Sequence, residues 1–385
     1  MPHTDEVFDV IVVGAGNAAF TAALAARAEG ARVVVLEKAS QKLRGGNTRF
    51  TGGVFRCVYN SLEDLVAVVR DNDDPSTVAL DPYTREDYLQ DLARVTGGRT
   101  DPALSQLLVD RSYDTVRWMA DLGVAWEFSR AVGAVTIAGA AKVKLSRGGA
   151  LRAKGEGVLL SSTLFRLADA ADIPVLYETQ AGRIVTGPDG RVSGLEVRGP
   201  EGIRTMSCRA LVLASGGFQA SPDMRTAYLG PTWSLVKVRG TRFNTGEMIR
   251  QALDLGAQSY GEWAGCHANA PSYGELRLTD KTNRLSYPFS VMINLDGERF
   301  VDEGEDFNLY TYAKMGREIL RQPRAVIFQV FDRTTTPLLE TRYNTGTPVV
   351  ADSLPELADG VEQRYGALGF RKARGLQRGG SGRRV

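Results

Sequence analysis

The chain has 385 residues, 43% of them hydrophobic and 24% charged, with a formal net charge of +2 and three cysteines. That length exceeds one typical core and the charge gives no basic footprint for nucleic acid. Cys57, Cys208 and Cys266 are too dispersed for a disulfide framework, a zinc site or an iron–sulfur cluster, so each reads as a structural thiol. The start, Met1-Pro2-His3-Thr4-Asp5-Glu6, lacks a basic n-region before an apolar core, and no apolar run reaches bilayer length; a cytoplasmic protein is expected.

The first element is a buried strand over Phe8–Val13, running into Gly14-Ala15-Gly16-Asn17-Ala18-Ala19 and an expected helix, followed by a second apolar strand, Val33–Leu36, that ends on Glu37. This is the pattern of a dinucleotide-binding βαβ unit. Gly14 allows the tight turn, Gly16 lets a pyrophosphate approach the backbone at the helix N-terminus, and Ala19 stands where helix packs on strand. Glu37, about 21 residues past Gly16, is placed to accept hydrogen bonds from an adenosine ribose and to repel a 2′-phosphate. Next come two glycine pairs, in Arg44-Gly45-Gly46-Asn47-Thr48 and Thr51-Gly52-Gly53, giving bare backbone for a flat ring system and its phosphates. A nicotinamide enzyme would continue there with another strand and helix, so the cofactor expected is a flavin.

Residues 60 to 130 read mainly as helices, with helical spacing in Leu104–Val109 and Val116–Met119, and Asp101-Pro102 as N-cap and first turn. A helix over Val158–Ala171 leads to a strand at Val175–Thr179. Pro188-Asp189-Gly190 and Gly199-Pro200-Glu201-Gly202 are turns of a small β-meander, before a buried strand that starts at Ala210 and ends in Ala214-Ser215-Gly216-Gly217. Further on, Thr245 is an expected cap for a helix through Leu255, and a strand at Val291–Asn294 precedes the turn Leu295-Asp296-Gly297. The fold class expected is α/β: a Rossmann-like FAD-binding domain over residues 1–230, with a helical insert over about 60–150 and the meander, then an α+β capping domain over 231–355.

The G-x-G-x-x-A fingerprint, the G-G-N-T segment and the Ala214-Ser215-Gly216-Gly217-Phe218 strand end resemble the flavoprotein family of fumarate reductases and succinate dehydrogenases. Within it, Asp91–Gly98, Arg239–Asn244 and Asp302–Phe307 are most similar to the FAD-dependent tricarballylate dehydrogenases; the flavoproteins of cobalamin-pathway ring-contraction oxygenases look similar too. The resemblance implies FAD as cofactor, a small carboxylate as substrate, and electrons passed to a membrane-bound iron–sulfur partner, with peripheral attachment to the inner membrane through it. The cofactor contacts expected are Gly14, Gly16, Asn17, Ala18, Glu37, Lys38, Gly45, Gly46, Asn47, Thr48, Gly52, Gly53, Ala181, Ala214, Gly216 and Gly217. The only histidines are His3 and His267, so none stands near Gly45-Gly46-Asn47, where respiratory members attach FAD covalently; noncovalent FAD is expected. No second dinucleotide fingerprint is present, so reduction by NAD(P)H within this chain is not expected.

Desaturating a polycarboxylate needs cations to hold carboxylates, a group to take the α-proton, and flavin N5 to accept hydride from the β-carbon. By resemblance His267 falls at a substrate-binding histidine. Arg242 is suited to clamp a carboxylate bidentately, an ordinary ion pair being the alternative, and Arg299 reads as structural. Fumarate reductases carry an arginine in a segment R-F-x-N-E-x-x-x-R; here Arg299-Phe300-Val301-Asp302-Glu303 continues without it. The next arginine is Arg317, on an expected helix, and the similar Gly-Arg pair of tricarballylate dehydrogenases makes it, by resemblance, the candidate base, with Tyr310 and Lys314 as rivals and a solvated helix arginine as the alternative. No metal ligand set is expected.

Similarity to the family ends near Ala358, and residues 359–385 become Arg/Gly-rich without apolar periodicity, as in disordered tails. Family members continue with a segment carrying G-E-x-x-G-G that returns to the flavin. Its absence here raises the expectation of a frameshift or truncation, and a catalytically silent flavin-binding fragment is the competing reading of the whole.

Overall fold

Strand β1 (Val7–Val13), helix α1 (Asn17–Ala28) and strand β2 (Val33–Leu36) form a parallel crossover of a computed structural model that describes residues 7–130, 134–136, 142–268, 286–339 and 347–368. His3 and the tail from residue 369 lie outside the described residues. Around this crossover runs a six-stranded sheet completed by β3 (Val175–Leu176), β4 (Gln180–Thr186), β5 (Val192–Gly199) and β6 (Gly202–Leu213), in the order β4-β5-β6-β1-β2-β3. β6, β1, β2 and β3 are mutually parallel, whereas β4, β5 and β6 are antiparallel neighbours.

The near-continuous apolar strands follow from burial on both faces. Val12, Val33 and Val35 point to one side, where they meet Ala19, Phe20 and Ala23 of α1 and Leu160, Leu164 and Phe165 of helix α5 (Glu156–Ala170). Ile11, Val13, Val34 and Leu36 point to the other, against Ile184, Leu195, Val197, Met206 and Met248. Each of the Val, Ile, Leu, Phe and Met side chains contributes about 1.5–3 kcal/mol. The meander and the Ala210 strand, separate in the sequence reading, are one element: β6 pairs antiparallel with β5 up to Ser207 and parallel with β1 up to Leu213.

The helices expected after residue 60 are α2 (Leu62–Val69), α3 (Arg85–Thr96) and α4 (Pro102–Leu122), and short strands follow them at Trp126–Phe128, Val135–Thr136, Val143–Lys144 and Leu151–Ala153. Asp101 caps α4, accepting from Leu104 N at 2.8 Å, with Pro102 at the first helical position. Its buried face is Ser105, Val109, Ser112, Val116 and Met119, so Leu104, Leu107 and Leu108 are more than half exposed despite their helical spacing.

The described chain divides into two units. The first comprises Met1–Met224 and Gly240–Gly261, the second Arg225–Arg239 and Glu262–Val385. The first thereby takes in residues beyond the boundary read at 231, because Met248 of helix α6 (Glu247–Asp254) packs into the sheet core. Thr245 does not cap α6. Gly246 is its N-cap, and the Thr245 hydroxyl instead bonds Glu247 at 2.6 Å and Lys38 at 2.8 Å. In the second unit β7 (Val291–Asn294) pairs antiparallel with β8 (Ile327–Val330), and helix α7 (Asn308–Leu320) supplies Met315 to a core with Tyr287 and Met292. Cys57 and Cys208 are buried and all three cysteines are free; burial pushes the Cys57 thiol up to about 12. Among the described residues no helix is long and apolar enough to cross a membrane.

Candidate functional site

At the C-terminal ends of the parallel strands, the first unit holds a half-open cavity of about 340 Å³. In an open parallel sheet this is where ligands bind. Of the expected cofactor residues, Gly14, Gly16, Asn17, Ala18, Glu37, Lys38, Gly46, Asn47, Thr48, Ala181, Ala214 and Gly216 line it.

Gly14 leaves β1 with φ +108 and donates its N–H to Leu36 O at 2.8 Å; a β-carbon there would lie 2.4 Å from Ala214 O. The chain turns at Gly16, the N-cap of α1, and the first turn of that helix faces the cavity with backbone N–H groups that have no intrahelical acceptor. Thr48 Oγ1 accepts from Asn17 N at 2.8 Å, fastening the G-G-N-T loop to this helix start. The same loop is anchored from behind by Arg44, whose guanidinium lies 4.0 Å from the Phe165 ring centroid and donates to Tyr177 Oη at 2.6 Å.

Glu37 directly follows β2 and has only 6% of its surface exposed. Burial pushes its carboxyl above the ordinary carboxylate range, opposed by the backbone N–H groups of Ala39, Gly45 and Lys38 and by the Lys38 ammonium. Lys38 donates to Glu247 Oε1 at 2.6 Å. Burial raises the Glu247 carboxyl, but bonds from Lys38 and Thr245 outweigh it and hold the group below its usual range.

Gly45, Gly52, Gly53 and Gly217 do not line the cavity. Gly45 serves it indirectly, through its N–H toward Glu37, whereas Gly53 packs on Ala153, which donates to Gly53 O at 2.8 Å. Thr241, Phe243, Asn244 and Glu247 line it and were not anticipated. Thr241, Phe243 and Asn244 belong to the Arg239–Asn244 string, which the sequence offers as a family-like segment with Arg242 as its carboxylate clamp; Glu247 lies outside it.

Sequence comparison decides the cofactor: residues 9–333 match the FAD binding domain family. The chain belongs to that family. It is 26% identical over 335 residues to a probable fumarate reductase of Shewanella frigidimarina, covering 85% of this chain and 51% of that protein. Against a vinyl phenol reductase of Lactiplantibacillus plantarum it is 28% identical over 338 residues, covering 85% and 62%. The chain thus spans about half to three fifths of these relatives' lengths. The fold is that of the open conformation of a flavocytochrome c3 fumarate reductase, with TM-score 0.69, 23% identity and coverage of 97% of this chain and 60% of that one. It is equally that of a 3-ketosteroid-Δ4-(5α)-dehydrogenase of Rhodococcus jostii RHA1, with TM-score 0.71, 19% identity and coverage of 98% and 77%.

The cofactor of this FAD-binding family member fits the cavity. The wall holds a helix N-terminus suited to a pyrophosphate and a buried carboxylate suited to ribose hydroxyls. It also holds Asn17 Oδ1, a buried acceptor with no hydrogen-bond partner among the described residues.

The three expected catalytic residues are distributed over both units. Arg242, in the first, is exposed between the cavity-lining Thr241 and Phe243, its guanidinium 5.1 Å from the Phe243 ring centroid. His267, in the second, meets Tyr312 of α7 edge to face, with ring centroids 4.8 Å apart. Arg317 is also on α7; its Nε is buried without a hydrogen bond among the described residues, 3.8 Å from Glu318 Oε1. Of the rivals, Lys314 is held by Glu305 at 2.7 Å, and Tyr310 lies at the start of α7. Arg299 binds the buried Glu303 at 2.9 Å, and Glu303 in turn accepts from Met292 N at 2.6 Å, a structural arrangement.

Proposed function

We propose that this chain is the FAD-bearing part of a dehydrogenase that desaturates a polycarboxylate such as tricarballylate, giving cis-aconitate. One observation carries the reading: an exposed arginine, Arg242, stands between two residues that line the cofactor cavity. Relatives named as fumarate reductase, urocanate reductase and 4-oxocyclohexanecarboxylate 2-dehydrogenase support a substrate class with a carbon–carbon bond beside a carboxylate or conjugated group. Bound FAD supplies the hydride acceptor. Glu37 holds its ribose and the backbone from Gly14 to Ala18 its pyrophosphate. Arg242 grips a substrate carboxylate through its planar fork. His267 is assigned carboxylate binding and Arg317 the proton transfer, the latter ahead of Lys314 because Glu305 already occupies the Lys314 ammonium. Electrons leave to a membrane-bound iron–sulfur partner.

Steady-state turnover of tricarballylate with an artificial electron acceptor tests the assignment. Arg242→Lys retains the charge but replaces a bidentate fork by a point charge, so kcat/KM should fall at least about tenfold. Full activity in that variant would return Arg242 to an ordinary ion pair.

The absence of a histidine beside Gly45-Gly46-Asn47 supports noncovalent FAD. Acid precipitation of the yellow protein should release all flavin into the supernatant. Colour retained in the pellet would show a covalent link.

A further inference from the structure

Asn47 stands in the glycine loop, yet its side chain reaches a segment 194 residues away: Asn47 Oδ1 accepts from Thr241 N at 2.9 Å. Room for that contact is made by Gly240, which has φ +150 and whose β-carbon, were there one, would fall 2.4 Å from Asn47 Oδ1 and 3.2 Å from Asn47 Cγ. The bend that follows is held from within, since Phe243 N donates to Thr241 Oγ1 at 3.3 Å, and at its far end, where Asn244 O accepts from Ala220 N at 2.9 Å. Arg242 is the exposed tip of this pinned segment. The next loop residue, Thr48, is itself tied to the start of α1 through Asn17 N. One dipeptide, Asn47-Thr48, therefore joins the helix that opens the cofactor cavity to the segment that carries Arg242.

A guanidinium clamps a carboxylate well only if its backbone is held to within a fraction of an ångström, and four rotatable side-chain bonds give no help in that. The geometry points to Asn47 as a positioning residue that fixes the Arg242 carboxylate clamp to the glycine loop of the cofactor cavity. This rests on the reading of Arg242 as a carboxylate ligand. It differs from a cofactor contact in what it predicts: loss of the Asn47 amide loosens Thr241 and weakens carboxylate binding, and does so only while Arg242 is present.

Two measurements on the FAD-loaded chain test it. Hydrogen exchange reads the Thr241 amide directly, without turnover. Exchange should be about tenfold faster in Asn47→Ala and in Gly240→Ala, and unchanged in Asn47→Asp, which keeps an acceptor oxygen. Gly240→Ala matters because it displaces the Asn47 side chain without removing its amide, and Gly240 itself does not line the cavity. Tricarballylate binding, followed by perturbation of the flavin absorbance, should weaken about tenfold in Asn47→Ala and Gly240→Ala. In an Arg242→Ala background, adding Asn47→Ala should change it by less than about twofold. A tenfold effect of Asn47→Ala that persists without Arg242, or Thr241 exchange that ignores both variants, would overturn the inference and leave the clamp standing. Wild-type tricarballylate binding in Arg242→Ala alone would overturn the clamp, and the positioning role with it.

Discussion

Replacing Gly14 by alanine should give a protein that purifies without flavin and unfolds well below the wild type. The residue sits at φ +108 between two parallel strands, and the added carbon would lie 2.4 Å from Ala214 O and 2.9 Å from Ala214 C, both main-chain atoms. Left-handed strain costs roughly 1–2 kcal/mol and forcing the strands apart about 1–3 kcal/mol more, a large share of the ~5–15 kcal/mol stability of a typical protein. The same displacement would move the turn that leads into α1, where the pyrophosphate is proposed to bind. Gly30→Ala separates the two contributions. Gly30 has φ +83 and nothing within 4 Å of its would-be β-carbon, so that variant should lose only about 1 kcal/mol and remain yellow. Thermal unfolding and flavin content after gel filtration read both outcomes. A yellow, stable Gly14→Ala protein would show that the turn yields and that the cavity is not shaped as described.

The second large effect concerns Glu37. Glu37→Gln removes a buried charged acceptor, and FAD affinity should fall by about 1 to 3 kcal/mol, or roughly 5- to 150-fold in Kd. The pH dependence has a definite sign. Burial raises the folded-state pKa of this carboxyl above its unfolded value, so its contribution to apo stability is present in acid and lost as pH rises through the folded pKa. Ribose hydroxyls favour the ionised form, so FAD binding expels that proton. Affinity should therefore strengthen as pH rises through the raised apo pKa and level off above it. In Glu37→Gln this acid-side slope should vanish, as equilibrium dialysis over a pH series would show. Wild-type affinity and slope in the variant would remove Glu37 from the site.

The parts of the fold that could be read from sequence are those specified over short range. Phe8–Val13, Gly14, Gly16 and Glu37 make one βαβ unit within a few dozen residues, and Asp101-Pro102 marks a helix start by its own chemistry. What was missed depends on contacts distant in sequence. Thr245 has the right residue type for a cap, but a Lys38–Glu247 pair spanning 209 residues takes its hydroxyl. The same pair, with Met248 in the sheet core, draws Gly240–Gly261 into the first unit. β6 did carry a signal of its double role: polar and apolar residues alternate over Thr205–Cys208, then give way to the apolar run Ala210–Leu213, the change expected where an antiparallel strand becomes a parallel one. At the site, Gly14, Gly16 and Glu37 were visible through a spacing rule. Thr241 and Asn244 were not: they lie in the family-like Arg239–Asn244 string, but nothing in it assigns them to the cavity, which they reach only through the fold. Arg44 sat in view beside the glycine pair, but its anchoring role depends on Phe165 and Tyr177, more than a hundred positions away.

The central claim, an FAD enzyme that takes hydride from a carboxylate-bearing carbon chain, is tested most directly by anaerobic titration of the FAD-loaded protein, following flavin absorbance. Tricarballylate should bleach the flavin, cis-aconitate should restore the colour after reduction, and NADH should leave the oxidised flavin untouched. A flavin that stays yellow with tricarballylate and other di- and tricarboxylates, yet bleaches rapidly with NADH, would contradict the account.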